Sequence, residues 1–137
     1  MACFLRASGK RFDVDRFAEL SSLRLDALWR VGEPRFASNA SNSMIHHSAG
    51  IRIVASDADF SELRKQIEEV TSFLKLHHDD IKKLTMFSGI EEAMLDFGAW
   101  ISPPGWASFV FPPELLALAG SAGVALSLSV YPTDGEV

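Results

Sequence analysis

SDADFSELRKQIEEVTSFLKLHHDDIKKLTM, residues 56–86, carries the clearest periodicity in the chain. Phe60, Leu63, Ile67, Val70 and Leu74 recur at alternating steps of three and four, which draws one apolar stripe along a helix. Glu62, Arg64, Lys65, Glu68, Glu69 and Lys75 fall on the other face, where water can solvate them. Ser56, Asp57 and Asp59 are N-cap candidates, and Glu62 stands three residues after Asp59 as in a capping box. His77-His78-Asp79-Asp80 is the expected break, with either Asp able to cap a second piece ending near Phe87-Ser88-Gly89. The spacing therefore predicts a long central helix.

Extended segments lie on both sides of it. Residues 2–7 read as a first strand, ended by Ser8-Gly9-Lys10, and Phe12 or Asp13 starts a short helix with Val14, Phe17, Ala18 and Ser21 on one side. Ala27 to Val31 looks extended until Gly32-Glu33-Pro34 stops it. Residues 35–49 are small and polar, a loop candidate. Ile51 to Val54 is a strand feeding the central helix. Ala93 to Ile101 alternates cleanly: Leu95, Phe97, Ala99 and Ile101 point one way, Met94, Asp96, Gly98 and Trp100 the other. Phe109 to Phe111 reads as a short extended piece. Pro112-Pro113-Glu114 opens a helix ended by Gly120 or Gly123. Val124 to Tyr131 is the last alternating strand.

The pattern reads as βαβ, long helix, βαβ. Phe12 to Trp29 and Phe111 to Leu128 echo each other weakly, as two halves would. The economical architecture is a single α+β domain over residues 1–137, with a mainly antiparallel sheet of four to five strands and helices on one face, a ferredoxin-like variant.

Composition sets the outer limits. With 137 residues, 47% apolar and 23% charged, the chain is globular and long enough to bury a core. One cysteine, Cys3, excludes an internal disulfide, and its apolar neighbours mark it as a small buried hydrophobe. No charged n-region precedes an apolar run, and no apolar run is long enough to span a bilayer, so cytoplasm is the default expectation and membrane is not. A net charge of −5 argues against nucleic acid. Residues 1–35 carry seven Lys/Arg against five Asp/Glu and the remainder six against thirteen, so a charged partner would be basic.

Trp29-Arg30-Val31-Gly32-Glu33-Pro34 follows a strand and a short helix and precedes a strand leading into a long helix. This Trp-x-x-Gly-(Asp/Glu)-Pro signature resembles a widespread bacterial family catalogued as a domain of unknown function, some members of which resemble toxin-immunity proteins. The resemblance implies a small cytoplasmic domain and supplies no catalytic residues. Physically, the hexapeptide suits a turn, with a positive φ available at Gly32 and a fixed exit at Pro34. Trp29 remains a second, ligand-facing candidate.

The four histidines form two adjacent pairs, His46-His47 and His77-His78. Adjacent residues diverge on a helix and on a strand, so neither pair chelates and no metal is expected. A phosphate loop, a nucleophile elbow and a zincin motif are all missing, and no cofactor or catalytic set is expected. The richest constellation is the sheet face opposite the core, where alternation gathers Asp96, Trp100, Ser127, Ser129 and Tyr131, with Arg52 and Arg6 joining from other strands. Aromatic, arginine and hydroxyl side chains together resemble an interaction surface. The alternative is that the 35–49 loop covers this face. The leading function is a non-catalytic protein-binding module, an immunity-type protein being one form of it, with a protein partner or a homodimer joined through that face. The alternative is a small-molecule sensor or small enzyme using the same face.

Overall fold

A computed structural model describes residues 2–35 and 44–134. Ser38, Asn39, Ser41, Asn42 and Ser43 of the expected polar loop lie outside the described residues. The elements in order are β1 (Cys3–Gly9), α1 (Val14–Leu20), β2 (Ala27–Trp29), β3 (Ala49–Ser56), α2 (Leu63–Thr85), β4 (Glu92–Ile101), α3 (Pro113–Ser121) and β5 (Ala125–Pro132). The strand expected at Ile51 to Val54 is β3, a full strand of the sheet between β2 and the long helix, which the expected βαβ-α-βαβ order leaves out.

The five strands form one sheet in the order β2-β3-β1-β4-β5. β1 is central and antiparallel to both β3 and β4, and β2 is antiparallel to β3. β5 lies parallel to β4, so the sheet is mixed, not mainly antiparallel. The reason is the α3 crossover, since a strand that returns beside its predecessor through a helix runs in the same direction.

Alternation decides what is buried. Cys3, Leu5, Ala7, Ile51, Ile53, Leu95 and Phe97 are within 3% of fully buried, and they share one cluster with Val14 and Phe17 of α1, Val70, Leu74, Ile81 and Leu84 of α2, and Leu115 and Ala119 of α3. All three helices thus feed one core on one face of the sheet. Phe12, Phe17 and Phe87 interlock at 5.3–5.8 Å between ring centroids and close the end of this core under α1. Cys3 is fully buried, and burial, with the nearby Asp96 charge adding, pushes its thiol up to about 12. It is therefore packing and not a nucleophile.

Local chemistry sets the helix ends. Asp13 caps α1 by accepting from the Arg16 amide at 3.1 Å. α3 opens with Pro at its first turn and closes in a Schellman motif: Gly123 has φ +80°, its amide donates to the Gly120 carbonyl, and the Val124 amide donates to the Ala119 carbonyl. α2 is interrupted where the sequence expects it: two helical pieces join across a kink at His77, whose angles are non-helical (φ −111°, ψ 17°), and the His77 ring packs on Phe73 at 4.9 Å.

The start of α2 differs from its sequence pattern in a way that matters for the site. The helix begins at Leu63, its N-cap Glu62 makes no side-chain cap bond, and Phe60 stands outside it. Asp59 acts instead in a turn, accepting from the Phe60 amide through Oδ1 and from the Glu62 amide through its carbonyl. Phe60 therefore leaves the core stripe. Its place is explained by β4, which runs on through Phe97–Ile101 beyond Asp96, the last residue paired with β1. The exposed side of this overhang needs partners. The Phe60 carbonyl accepts from the Trp100 amide at 3.2 Å. The fully buried Gln66 accepts from the Gly98 amide (3.2 Å) and donates to the Gly98 carbonyl (2.8 Å) and to the Asp59 carbonyl (3.0 Å). One carboxamide thus takes the place of a missing strand residue.

Replacing Gln66 with Leu keeps the volume and removes all three bonds. Leaving buried backbone groups unpaired should cost roughly 2–5 kcal/mol in denaturant melts, and a loss below about 0.5 kcal/mol would mean that the overhang does not depend on this side chain.

Candidate functional site

The open face of the sheet begins at β1, where Phe4 and Arg6 alternate with the buried Cys3 and Leu5. Arg52 of β3 is opposite Arg6, and Asp96 of β4 is opposite Phe4. Asp96 joins the strands: Arg6 Nε lies 3.8 Å from one carboxylate oxygen, and Ser129 Oγ donates to the other at 3.2 Å. The Arg52 guanidinium lies over the Phe4 ring at 4.4 Å, a cation–π contact, and holds Asp26 through Nε (2.8 Å) and a terminal nitrogen (2.6 Å). Arg52, which alternation places on this face, is thus committed to Asp26 and Phe4.

Beyond Asp96 the face becomes aromatic. Phe60 stacks on Tyr131 with centroids 5.3 Å apart and planes 5° from parallel, and Trp100 meets both rings edge-on at 6.1 and 6.0 Å. Gly98 makes this possible. A Cβ there would sit 2.2–2.4 Å from three Phe60 ring atoms, so only glycine lets the ring lie on the strand. Ala2, Phe4, Arg6, Phe60, Asp96, Phe97, Trp100 and Tyr131 line a cavity of about 290 Å³, the Phe97 ring itself being buried in the core. Four aromatic side chains, one cation and one anion thus border one concavity, with Tyr131 43% exposed at its rim.

Trp29 occupies the other end of the same face. Its ring covers Gly50, where a Cβ would come within 2.4 Å, and stacks on His46 at 5.2 Å. The rest of the hexapeptide is a tight turn: the Glu33 amide donates to the Arg30 carbonyl, Gly32 has φ +86°, and the Gly32 amide donates to the His46 carbonyl. Arg30 holds Asp15 and Glu33, and its bond to Asp15 lowers that carboxyl below its usual range. Trp29 and Arg30 therefore do structural work. A second cleft of about 880 Å³ runs beside them, with Arg6, Arg52, Glu33 and His46 in its walls.

The structure thus brings together Asp96, Trp100, Ser129 and Tyr131 of the sequence-predicted set, places Ser127 half-buried as the register partner of Asp96, puts Arg52 on β3 beyond the intervening β1 and sets Trp29 apart. Phe4 and Phe60 were missed. Alternation with Cys3 and Leu5 marks Phe4, whereas Phe60 fits the helical stripe so well that its sequence conceals its position. Among the described residues no three metal-ligating side chains gather. His77 packs on Phe73, and His78 Nε2 pairs with Ser121 Oγ at 2.8 Å. Nor, among the described residues, is any helix long and apolar enough to cross a membrane.

Two outcomes check this geometry. Gly98→Ala should force the Phe60 ring off the strand, red-shifting tryptophan emission as Trp100 meets water and costing roughly 1–3 kcal/mol. An unchanged spectrum and stability would show that the ring is not seated there. His46 is held below its ordinary value, first by burial and then by Arg35, with Glu33 opposing. The unfolded chain therefore takes up this proton first, so the His46 contribution is full above about 6.5 and is lost as pH falls toward the depressed folded value. Over that window the wild type should lose more Tm than His46→Gln, and parallel curves would contradict the assignment.

No family model, no curated protein and no solved structure matches this chain.

Proposed function

We propose that the chain is a non-catalytic protein-binding module whose open sheet face receives a flat side chain of a basic partner. The observation that carries this reading is the cavity walled by Phe4, Phe60, Trp100 and Tyr131 beside the Arg6–Asp96 pair. Its 290 Å³ lies at the lower edge of the range for small-molecule sites and suits one protein side chain better than a cofactor. Aromatic walls beside a carboxylate attract a guanidinium or another ring. The net charge of −5 favours a basic partner. An immunity-type protein that occludes a toxin in the cytoplasm is the form of this reading that the hexapeptide resemblance supports. The antiparallel run β2-β3-β1-β4 supports describing the fold as a ferredoxin-like variant, with β5 an addition.

A small-molecule sensor is the second reading, favoured by the 880 Å³ cleft beside Trp29 and Arg52, which falls within the usual range for metabolites. A toxin gene directly upstream would favour the first reading, a metabolic operon the second.

Panning a displayed peptide library against the wild type, with Trp100→Ala as counter-selection, tests the first reading. Enriched peptides should share one aromatic or arginine anchor and bind the variant roughly tenfold or more weakly, as at a hot spot. The melting temperature should stay within a few degrees. Equal binding to both proteins, or the stability loss of about 3–5 kcal/mol typical of a fully buried Trp, would sink the proposal.

A further inference from the structure

We propose that β5 is the docking edge for a second copy of this chain, the two β5 strands pairing antiparallel about a twofold axis at Leu128. The two edges of the sheet are built differently. β2 is a three-residue strand that ends in the tight turn at Arg30–Glu33, which is how short edges avoid pairing. β5 is an eight-residue edge, and none of ALSLSVYP carries a charge. Its only blunting residue is Pro132, at its end.

The orientation of its backbone is set by one bond. The Thr133 amide donates to the Ile101 carbonyl at 2.9 Å across the parallel ladder. Amides alternate sides along a strand, so odd-numbered residues of β5 turn toward β4 and Leu126, Leu128 and Val130 turn outward. These three residues are also the row on the helix side of the sheet, continuing from the buried Val124. Their cover runs out along the strand: Leu126 and Leu128 are half-buried and Val130 is 42% exposed.

The sequence of the strand says what fits. Read from Leu128 in either direction it is Ser127 or Ser129, then Leu126 or Val130, then Ala125 or Tyr131. A twofold at Leu128 therefore places Leu126 opposite Val130 of the other copy, serine opposite serine, and small Ala125 opposite large Tyr131. The outward amides and carbonyls match under the same operation, giving roughly six hydrogen bonds between the copies. Directly opposed residues share a face, so aliphatic pairs form on the helix side and hydroxyl pairs on the open side. A foreign strand would meet no such self-complementarity. A chain of net charge −5 also meets its copy with least repulsion where the surface is uncharged. The edge shares Tyr131 with the 290 Å³ cavity, and the pairing would set Ala125 of one copy beside that Tyr131 of the other and make one continuous open face.

Light scattering on the full chain after size-exclusion chromatography tests this, with two variants. Val130→Lys puts a charge on an already exposed residue, opposite an aliphatic one in the pair. Leu128→Pro removes the outward donor at the axis without touching an inward one. The wild type should show about twice the chain mass of 15.0 kDa at micromolar concentration. Each variant should raise the dimer dissociation constant roughly tenfold or more, with far-UV circular dichroism unchanged. Should Leu128→Pro melt the fold, Val130→Lys decides alone. A wild type of single-chain mass at high micromolar concentration, or a dimer unaffected by Val130→Lys, would overturn the proposal.

Discussion

The Gln66 carboxamide bonded to both backbone groups of Gly98 is the constraint on which the functional end of this molecule depends. β4 outruns the central strand, and a bare overhang would leave buried donors and acceptors without partners, each a loss of about 1–3 kcal/mol. By closing that overhang from the helix, Gln66 fixes where α2 begins relative to the sheet. The third bond, to the Asp59 carbonyl, pins the turn that carries Phe60 around the sheet end. Packing is then a consequence of pairing: with the turn held, the Phe60 ring lies over Gly98, and Tyr131 and Trp100 complete the cluster.

Gly98 and Gly50 repeat one device at the two ends of the open face. Each is a strand glycine whose missing Cβ admits an aromatic ring, Phe60 at one and Trp29 at the other. Between them the Arg52–Asp26 and Arg6–Asp96 pairs bridge neighbouring strands. Partly exposed pairs of this kind add little to stability, on the order of 0–1 kcal/mol. Their consequence is positional. Arg52 holds the Phe4 ring from above, and Asp96 is held by Arg6 and Ser129 at the cavity edge.

Much of this was legible in the sequence, because period-2 alternation is a strong signal where one face is dry. The burial of Leu95, Phe97, Ile51 and Ile53 and the grouping of Asp96, Trp100, Ser129 and Tyr131 come from it directly. The start of α2 did not, since Phe60 continues the 3–4 spacing of Leu63, Ile67 and Val70 and nothing local separates a helical Phe from one in the preceding turn. Gln66 stayed invisible for a related reason: a polar residue beside a helical stripe is normally solvated, and only the length mismatch between β1 and β4 makes it a buried partner. The parallel direction of β5 is likewise a tertiary outcome, because its alternation is the same in either orientation.

The two edges of the sheet reveal how the echo between residues 12–29 and 111–128 ends. Each half sends a helix and then a strand to an outer position, yet β2 pairs antiparallel and stops after three residues while β5 pairs parallel and runs for eight. The difference arises at the C-terminal end of each strand. At Trp29 the chain must turn at once, because Arg30 is held by Asp15 and Glu33 and the Gly32 amide by His46. After Val124 no such clamp intervenes before Pro132. The longer strand keeps Tyr131 in line with Trp100, its register partner on β4, and so supplies the ring on which Phe60 stacks. A β5 as short as β2 would end before Ser129 and Tyr131, and the aromatic cavity would lose a wall.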